Sequence, residues 1–157
     1  VKIAFLSQAL SELEELGDSL VREVLTRYQS HYEIDGKIVS PAALLEQLGF
    51  EKAYLNTQVK ALSGGQKRRM QLMLILLDAP NVLILDEPSS SMDNRTETRL
   101  KTNLKNLLAG KTLVLITHRG SLLDLVERII IIDNGTVVAD GPRDQVLSAM
   151  KSGQISF

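Results

Sequence analysis

Apolar and polar positions along this chain keep changing period, and each change marks an element. Lys2–Leu6 (KIAFL) is an apolar run behind one lysine and predicts a strand, with Ser7 and Gln8 at its carboxyl end. Residues 9–18 carry Glu12, Glu14, Glu15 and Asp18 and read as a solvated acidic surface. From Ser19 onward Leu20, Val21, Val24, Leu25 and Tyr28 recur at helical spacing. A hairpin is expected over Tyr32–Val39, turning at Asp35-Gly36. Ser40 and Pro41 supply an N-cap and a first-turn residue for a helix that runs through Leu48 and stops at Gly49.

The second half has a different rhythm. Gln66–Asp78 predicts a helix that is apolar almost all round its later turns and therefore buried, closed by Pro80. Val82–Leu85 is a short unbroken apolar strand of the kind that parallel sheets bury on both faces. Leu100, Leu104, Leu107 and Leu108 give the next helix its buried stripe. A strand at Leu113–Thr117, a helix around Ser121–Glu127 and a strand at Arg128–Ile132 follow. Asn134-Gly135 turns the chain into Thr136–Ala139, and a last helix spans about Arg143–Met150. Strands alternating with helices predict an α/β domain with a mainly parallel sheet.

Composition adds exclusions. The 157 residues are 44% hydrophobic and 24% charged, an ordinary globular balance large enough to bury a core. A net charge of −1 argues against gripping nucleic acid or an anionic membrane through bulk charge. With no cysteine, disulfides and thiolate metal sites are excluded, which suits a reducing compartment. The longest apolar runs, Leu72–Leu77 and Ile129–Ile132, fall far short of the ~20 residues of a membrane helix. The chain opens with Val1 already inside a strand-like run, so it is expected to be an internal part of a longer polypeptide.

Four local patterns carry chemistry. Leu62-Ser63-Gly64-Gly65-Gln66 stands immediately before the buried helix. Its glycines let main chain approach an anion, the helix start aims N–H groups and a positive dipole end at it, and Ser63 adds a hydroxyl; alone, the same residues make an N-cap in a loop. Val82–Leu85 leads into Asp86 and Glu87, two carboxylates at the carboxyl edge of a sheet, where α/β proteins bind ligands. Asp86 can hold Mg²⁺ and Glu87 can polarise an attacking water. Ser90–Asp93 is a short polar loop, with Asp93 also placed to cap the next helix. His118 directly follows an apolar strand and is expected at the same sheet edge as Asp86 and Glu87, whereas His31 lacks such a context.

Taken in order, LSGGQ, VLILDEP, the Ser90–Asp93 loop and the strand-end histidine resemble the ATP-binding-cassette (ABC) ATPases over nearly the whole chain. The resemblance implies an incomplete P-loop NTPase (RecA-like) α/β core with a mainly parallel sheet and a small helical subdomain. Residues 1–8 would be the sheet strand and Q-loop, 9–65 the helical subdomain ending in the signature loop, and 66–157 the Walker B, D-loop and switch-histidine part. It implies further that Gln8 contacts metal and attacking water, Asp86 and Glu87 form the Walker B pair, Ser90–Asp93 is the D-loop and His118 contacts the γ-phosphate. Ser63, Gly64, Gly65 and Gln66 would serve the nucleotide of a second cassette, so a dimer using ATP and Mg²⁺ is expected.

Residues 1–88 resemble the tandem-cassette ABC-F proteins in VKIAFLSQ, LSGGQKRRMQL and DAPNVLILDEP. SSSMD and THR depart from that branch's TN-x-LD and SHD. Residues 92–157, from MDNRTETRL through LVLITHRGSLLDLVERIIIIDNGTVVADGPRDQVL, resemble exporter cassettes of the type I secretion kind. The expected function is thus the ATP-hydrolysing cassette of an exporter, joined to transmembrane domains at the inner face of the plasma membrane. An ABC-F translation-associated ATPase and a non-catalytic half-cassette are the alternatives, the last disfavoured by retention of Glu87 and His118.

A working cassette also needs GxxxxGK[ST] between a strand and a helix to cradle phosphates. Gly110-Lys111-Thr112 fails this pattern because its first glycine would fall at Lys105, and because it follows a helix and precedes a strand. Tyr28, Tyr32 and Tyr54 all come after Gln8, so the upstream adenine-stacking aromatic is missing too. In the family the phosphate strand lies between the switch-histidine strand and the Ile129–Ile132 strand, so two apolar edges are expected to be left open. These 157 residues alone are expected neither to bind ATP tightly nor to hydrolyse it.

Overall fold

The computed structural model describes residues 1–7, 9, 11–34 and 36–154. Gln8 of the predicted site and Asp35 of the predicted turn lie outside the described residues. The chain divides into two compact units, Val1–His118 and Arg119–Phe157.

In the first unit the order is β1 (Ile3–Leu6), α1 (Ser11–Glu14), α2 (Val21–Thr26), β2 (Tyr32–Ile34), β3 (Lys37–Val39), α3 (Pro41–Gln47), α4 (Gly64–Leu77), β4 (Val82–Asp86), α5 (Asn94–Leu107) and β5 (Thr112–Ile116). Two 3₁₀ segments, Lys52–Asn56 and Val59–Ala61, lead into α4. Ser40 caps α3 by accepting from the Ala43 N–H, with Pro41 in the first turn, as the sequence predicts. β2 and β3 form the expected antiparallel hairpin.

β1, β4 and β5 make a three-stranded parallel sheet in the order β1-β4-β5. Its register pairs Leu6 with Leu85 and Asp86 with Ile116, so all three strands end at one edge. Leu6, Leu83 and Leu85 are fully buried on one face of the sheet. Met70, Leu72 and Met73 of α4 and Leu100 and Leu104 of α5 fill the same core. Each such side chain contributes roughly 1.5–3 kcal/mol on leaving water.

The other face differs from expectation. Ile3, Phe5, Val114 and Ile116 are exposed, Phe5 by 56% and Val114 by 45%, while Val82 and Ile84 are half-buried. The apolar run Val82–Leu85 thus sits in a sheet covered on one side. An apolar strand records what its residues suit, and within the first unit the helices leave this side partly open.

The second unit begins with a 3₁₀ segment, Gly120–Leu125, where the periodicity predicts a helix around Ser121–Glu127. Arg119 occupies the N-cap position without a side-chain cap bond, and so short an uncapped stretch does not sustain an α-helix. β6 (Arg128–Asp133) and β7 (Thr136–Pro142) form an antiparallel hairpin with a bulge between Ile131 and Ile132. Its turn residues Asn134 and Gly135 both have positive φ, 46° and 77°, as a tight I′ hairpin turn requires. Arg128 clasps Asp140 through two bonds of 2.7 and 2.6 Å across the hairpin. α6 (Arg143–Lys151) closes the unit. Among the described strands, β5 has no partner beyond β4 and β6 has none but β7, leaving the two open edges that the sequence leads one to expect. No helix among the described residues is long and apolar enough to cross a membrane.

Candidate active site

The carboxyl edge of the parallel sheet gathers Asp86, Glu87, Thr117 and His118. β4 ends at Asp86, and Glu87 enters the left-handed region with φ +47° immediately before Pro88. That kink is fastened to β5: the Glu87 N–H donates to the Ile116 carbonyl at 2.8 Å, and the His118 N–H donates to Glu87 Oε1 at 2.7 Å. The Thr117 hydroxyl stands 3.4 Å from Glu87 Oε2. His118 Nε2 lies 3.8 Å from Glu87 Oε1, with the imidazole side chain 96% exposed and the Glu87 side chain 14% exposed. A carboxylate anchored from one side and reaching solvent on the other keeps lone pairs with which to orient a water. The structure therefore brings Asp86, Glu87 and His118 to one edge, as their sequence positions predict.

The second cluster is the turn before α4. Ser63 Oγ accepts from the Gln66 N–H at 3.3 Å and Gln66 Oε1 accepts from the Ser63 N–H at 2.8 Å, a reciprocal capping box. The glycines also lie close against the chain that follows β4. A Cβ on Gly65 would stand 2.8 Å from the Ser91 carbonyl oxygen and 3.3 Å from Met92 Cγ, and one on Gly64 would stand 3.1 Å from Ser91 Cβ. What they admit in this structure is the main chain after β4, with Ser91 itself at φ +62°. Asp93 caps α5, accepting from the Thr96 N–H at 2.9 Å and the Thr96 hydroxyl at 2.8 Å. These bonds hold its carboxyl below the usual carboxylate range.

Sequence reasoning passes over Arg68 and Gln71, both buried on α4. Arg68 donates to the carbonyls of Ser7, Asp86 and Glu87 and to Gln71 Oε1, and Gln71 Nε2 donates to the Ala9 carbonyl at 2.8 Å. Burial pushes the Arg68 guanidinium down from its ordinary value, and the nearby Asp86 and Glu87 charges oppose that push. The spacing offers one signal: Arg68 lies three positions before Gln71 and four before the buried Leu72, on the same side of the helix. Ser89 is fully buried, and its hydroxyl finds no partner among the described residues.

Among the described residues no group of three or more His, Asp or Glu side chains could hold a metal ion. The sequence holds no Gly-rich phosphate loop, so ATP finds no cradle for its phosphates in these residues by themselves.

The parallel α/β sheet, its two edge carboxylates and the capped Ser-Gly-Gly helix start are those of an incomplete ATP-binding-cassette core of the P-loop NTPase class. The chain belongs to the ABC transporter family, whose pattern residues 2–90 match. It is 40% identical over 88 residues to the ATP-dependent lipid A-core flippase of Bordetella pertussis, covering 56% of this chain and 14% of the flippase. It is 42% identical over 103 residues to the lactococcin transport/processing ATP-binding protein LcnC-like of Lactococcus lactis subsp. lactis, covering 65% and 14%. The chain thus spans 14% of the length of these curated relatives. Its fold superposes on the dimeric, post-hydrolysis ATP-binding cassette MJ0796 bound to ADP and Pi, with TM-score 0.66 and 25% identity over 90% of this chain and 63% of that one.

Proposed function

We propose that this chain is the Walker B, signature and switch-histidine part of an exporter-type ABC cassette, hydrolysing ATP once a phosphate-loop segment and a partner cassette complete the site. The observation that carries the reading is the clasp of Glu87 against the end of β5 beside His118. Glu87 is placed to polarise a water, and His118, exposed next to it, to meet the γ-phosphate. Asp86 would hold Mg²⁺, which when bound neutralises charge on the phosphate oxygens. Gln8 is assigned to the same metal and water by its place after β1. Ser63, Gly64, Gly65, Gln66 and Asp93 would face the nucleotide of the second cassette, whose dimeric arrangement in MJ0796 supports this reading. The flippase and lactococcin relatives support exporter membrane domains as partners and a place at the inner membrane face.

The test is complementation. The purified chain is mixed with a separate strand–GxxxxGK[ST]–helix segment and phosphate release from MgATP is followed. Release that needs both pieces and vanishes with Glu87→Gln is expected. No release from the mixture, or release that Glu87→Gln leaves intact, would overturn the reading. The chain by itself is expected to release none.

A further inference from the structure

Arg68 is a full guanidinium at 2% exposure in the centre of the first unit. Taking such a charge out of water is costly, and a methionine of similar length would fill the space at no such cost. What methionine cannot do is make the bonds found here. One nitrogen, Nη2, donates to the carbonyl of Asp86 and, at 3.1 Å, to that of Glu87. The other, Nη1, donates to the carbonyl of Ser7 and, at 3.2 Å, to Gln71 Oε1. Gln71 then donates to the Ala9 carbonyl at 2.8 Å. Two side chains one turn apart on α4 therefore grip two separate segments: the kink after β4 and the chain leaving β1.

The kink needs such a grip. Glu87 is a non-glycine residue at φ +47°, a strained conformation that persists only where its surroundings hold it. Its own N–H and carboxylate are tied to β5, and its carbonyl and the one before it are tied to Arg68. The geometry points to Arg68, seconded by Gln71, as a positioning residue that fixes the main-chain kink presenting Glu87 and ties it to Ser7 and Ala9. The catalytic part of this inference rests on the proposed role of Glu87; the positional part does not.

Two readouts separate them. In the 157-residue chain, the three-bond HN–Hα coupling and Cα and Cβ shifts of Glu87 report its φ, and the Ala9 amide reports the other segment. Arg68→Met is expected to move Glu87 away from positive φ and to shift Ala9, Arg68→Lys to do the same in part, and Gln71→Met to shift Ala9 alone. Arg68→Met strips the Ser7, Asp86 and Glu87 carbonyls of their donor and is expected to lower the unfolding temperature, so the Glu87 and Ala9 signatures are read well below it. In the complemented assembly, Arg68→Met and Arg68→Lys should both lower kcat by about 100-fold, with KM for ATP changed less than about threefold. An unchanged Glu87 signature in both Arg68 variants overturns the positional inference. A changed signature with undiminished kcat, or a loss confined to KM, overturns the catalytic part. Should the parent assembly release no phosphate, the functional reading fails while the resonance test still decides the clamp.

Discussion

His118 addresses one atom of Glu87 twice: its main-chain N–H donates to Oε1 at 2.7 Å, and its imidazole Nε2 stands 3.8 Å from the same oxygen. The first contact belongs to the backbone and survives any substitution other than proline. The second belongs to the ring, which is otherwise in solvent.

His118→Ala should accordingly separate stability from activity. The exposed ring holds nothing else in place, so unfolding in urea is expected to shift by no more than about 0.5 kcal/mol. Phosphate release by the complemented cassette should drop by about 100-fold or more if the imidazole acts on the reacting phosphate. Equal losses in both measurements would assign the ring a structural role instead.

The two glycines that open α4 should respond unequally to a methyl group. Alanine is a better helix former by about 1 kcal/mol, which favours both substitutions. At Gly65 the new Cβ would meet a main-chain oxygen at 2.8 Å, too close to stay without moving the Ser91 loop. Gly65→Ala is therefore expected to destabilise by about 1–3 kcal/mol in urea titrations. Gly64→Ala meets a side chain at 3.1 Å that can rotate, and should fall within about 1 kcal/mol of the parent.

Asp93 gives a pH signature. Its carboxyl is lowered from the ordinary 3.8 by the Thr96 N–H and hydroxyl. A depressed folded value means that the stabilisation is fully present above 3.8 and is lost as pH falls through the lowered value. Asn caps a helix about as well without titrating. Thermal melts of the parent and of Asp93→Asn should thus differ most at neutral pH, by the charge at the helix start, and lose that difference in acid. A gap that widens below pH 3.8 would contradict this assignment.

Much of this was legible in the residues and some was not. α3, α4, α5, the Asn134-Gly135 hairpin and the parallel strands follow from periodicity and punctuation, because caps and turns are local chemistry. The gathering of Asp86, Glu87 and His118 was legible because parallel strands put their carboxyl ends at one edge. Arg68 was not, since a basic residue on a helix usually stays in water and its burial depends on carbonyls brought in from positions 7, 86 and 87. Nor did the pattern reveal why Gly65 must be glycine, which hangs on a loop 26 positions later folding back on it.

The uncovered side of the sheet supplies the last contrast. Leu85→Ala, on the buried face, should cost about 2–5 kcal/mol in denaturant unfolding. Phe5→Ser and Val114→Thr, on the open face, should each cost under about 1 kcal/mol and reduce self-association measured by light scattering. Losses as large as that of Leu85→Ala would mean that the open face is closed in solution.

The pairing of β1 with β4 also sets an order of events. Lys2 N–H reaches the Asn81 side chain at 3.0 Å across 79 positions, and Ile3 through Leu6 lie against Val82 through Leu85. Closing so long a loop costs roughly 4 kcal/mol of chain entropy before the first sheet bond is made. Within these residues β1 gains its partner only once Val82–Leu85 is in place, and distant pairings of this kind slow folding. Arg68, whose guanidinium needs carbonyls from both strands' ends, can then acquire its full set of bonds only at the final step of that assembly.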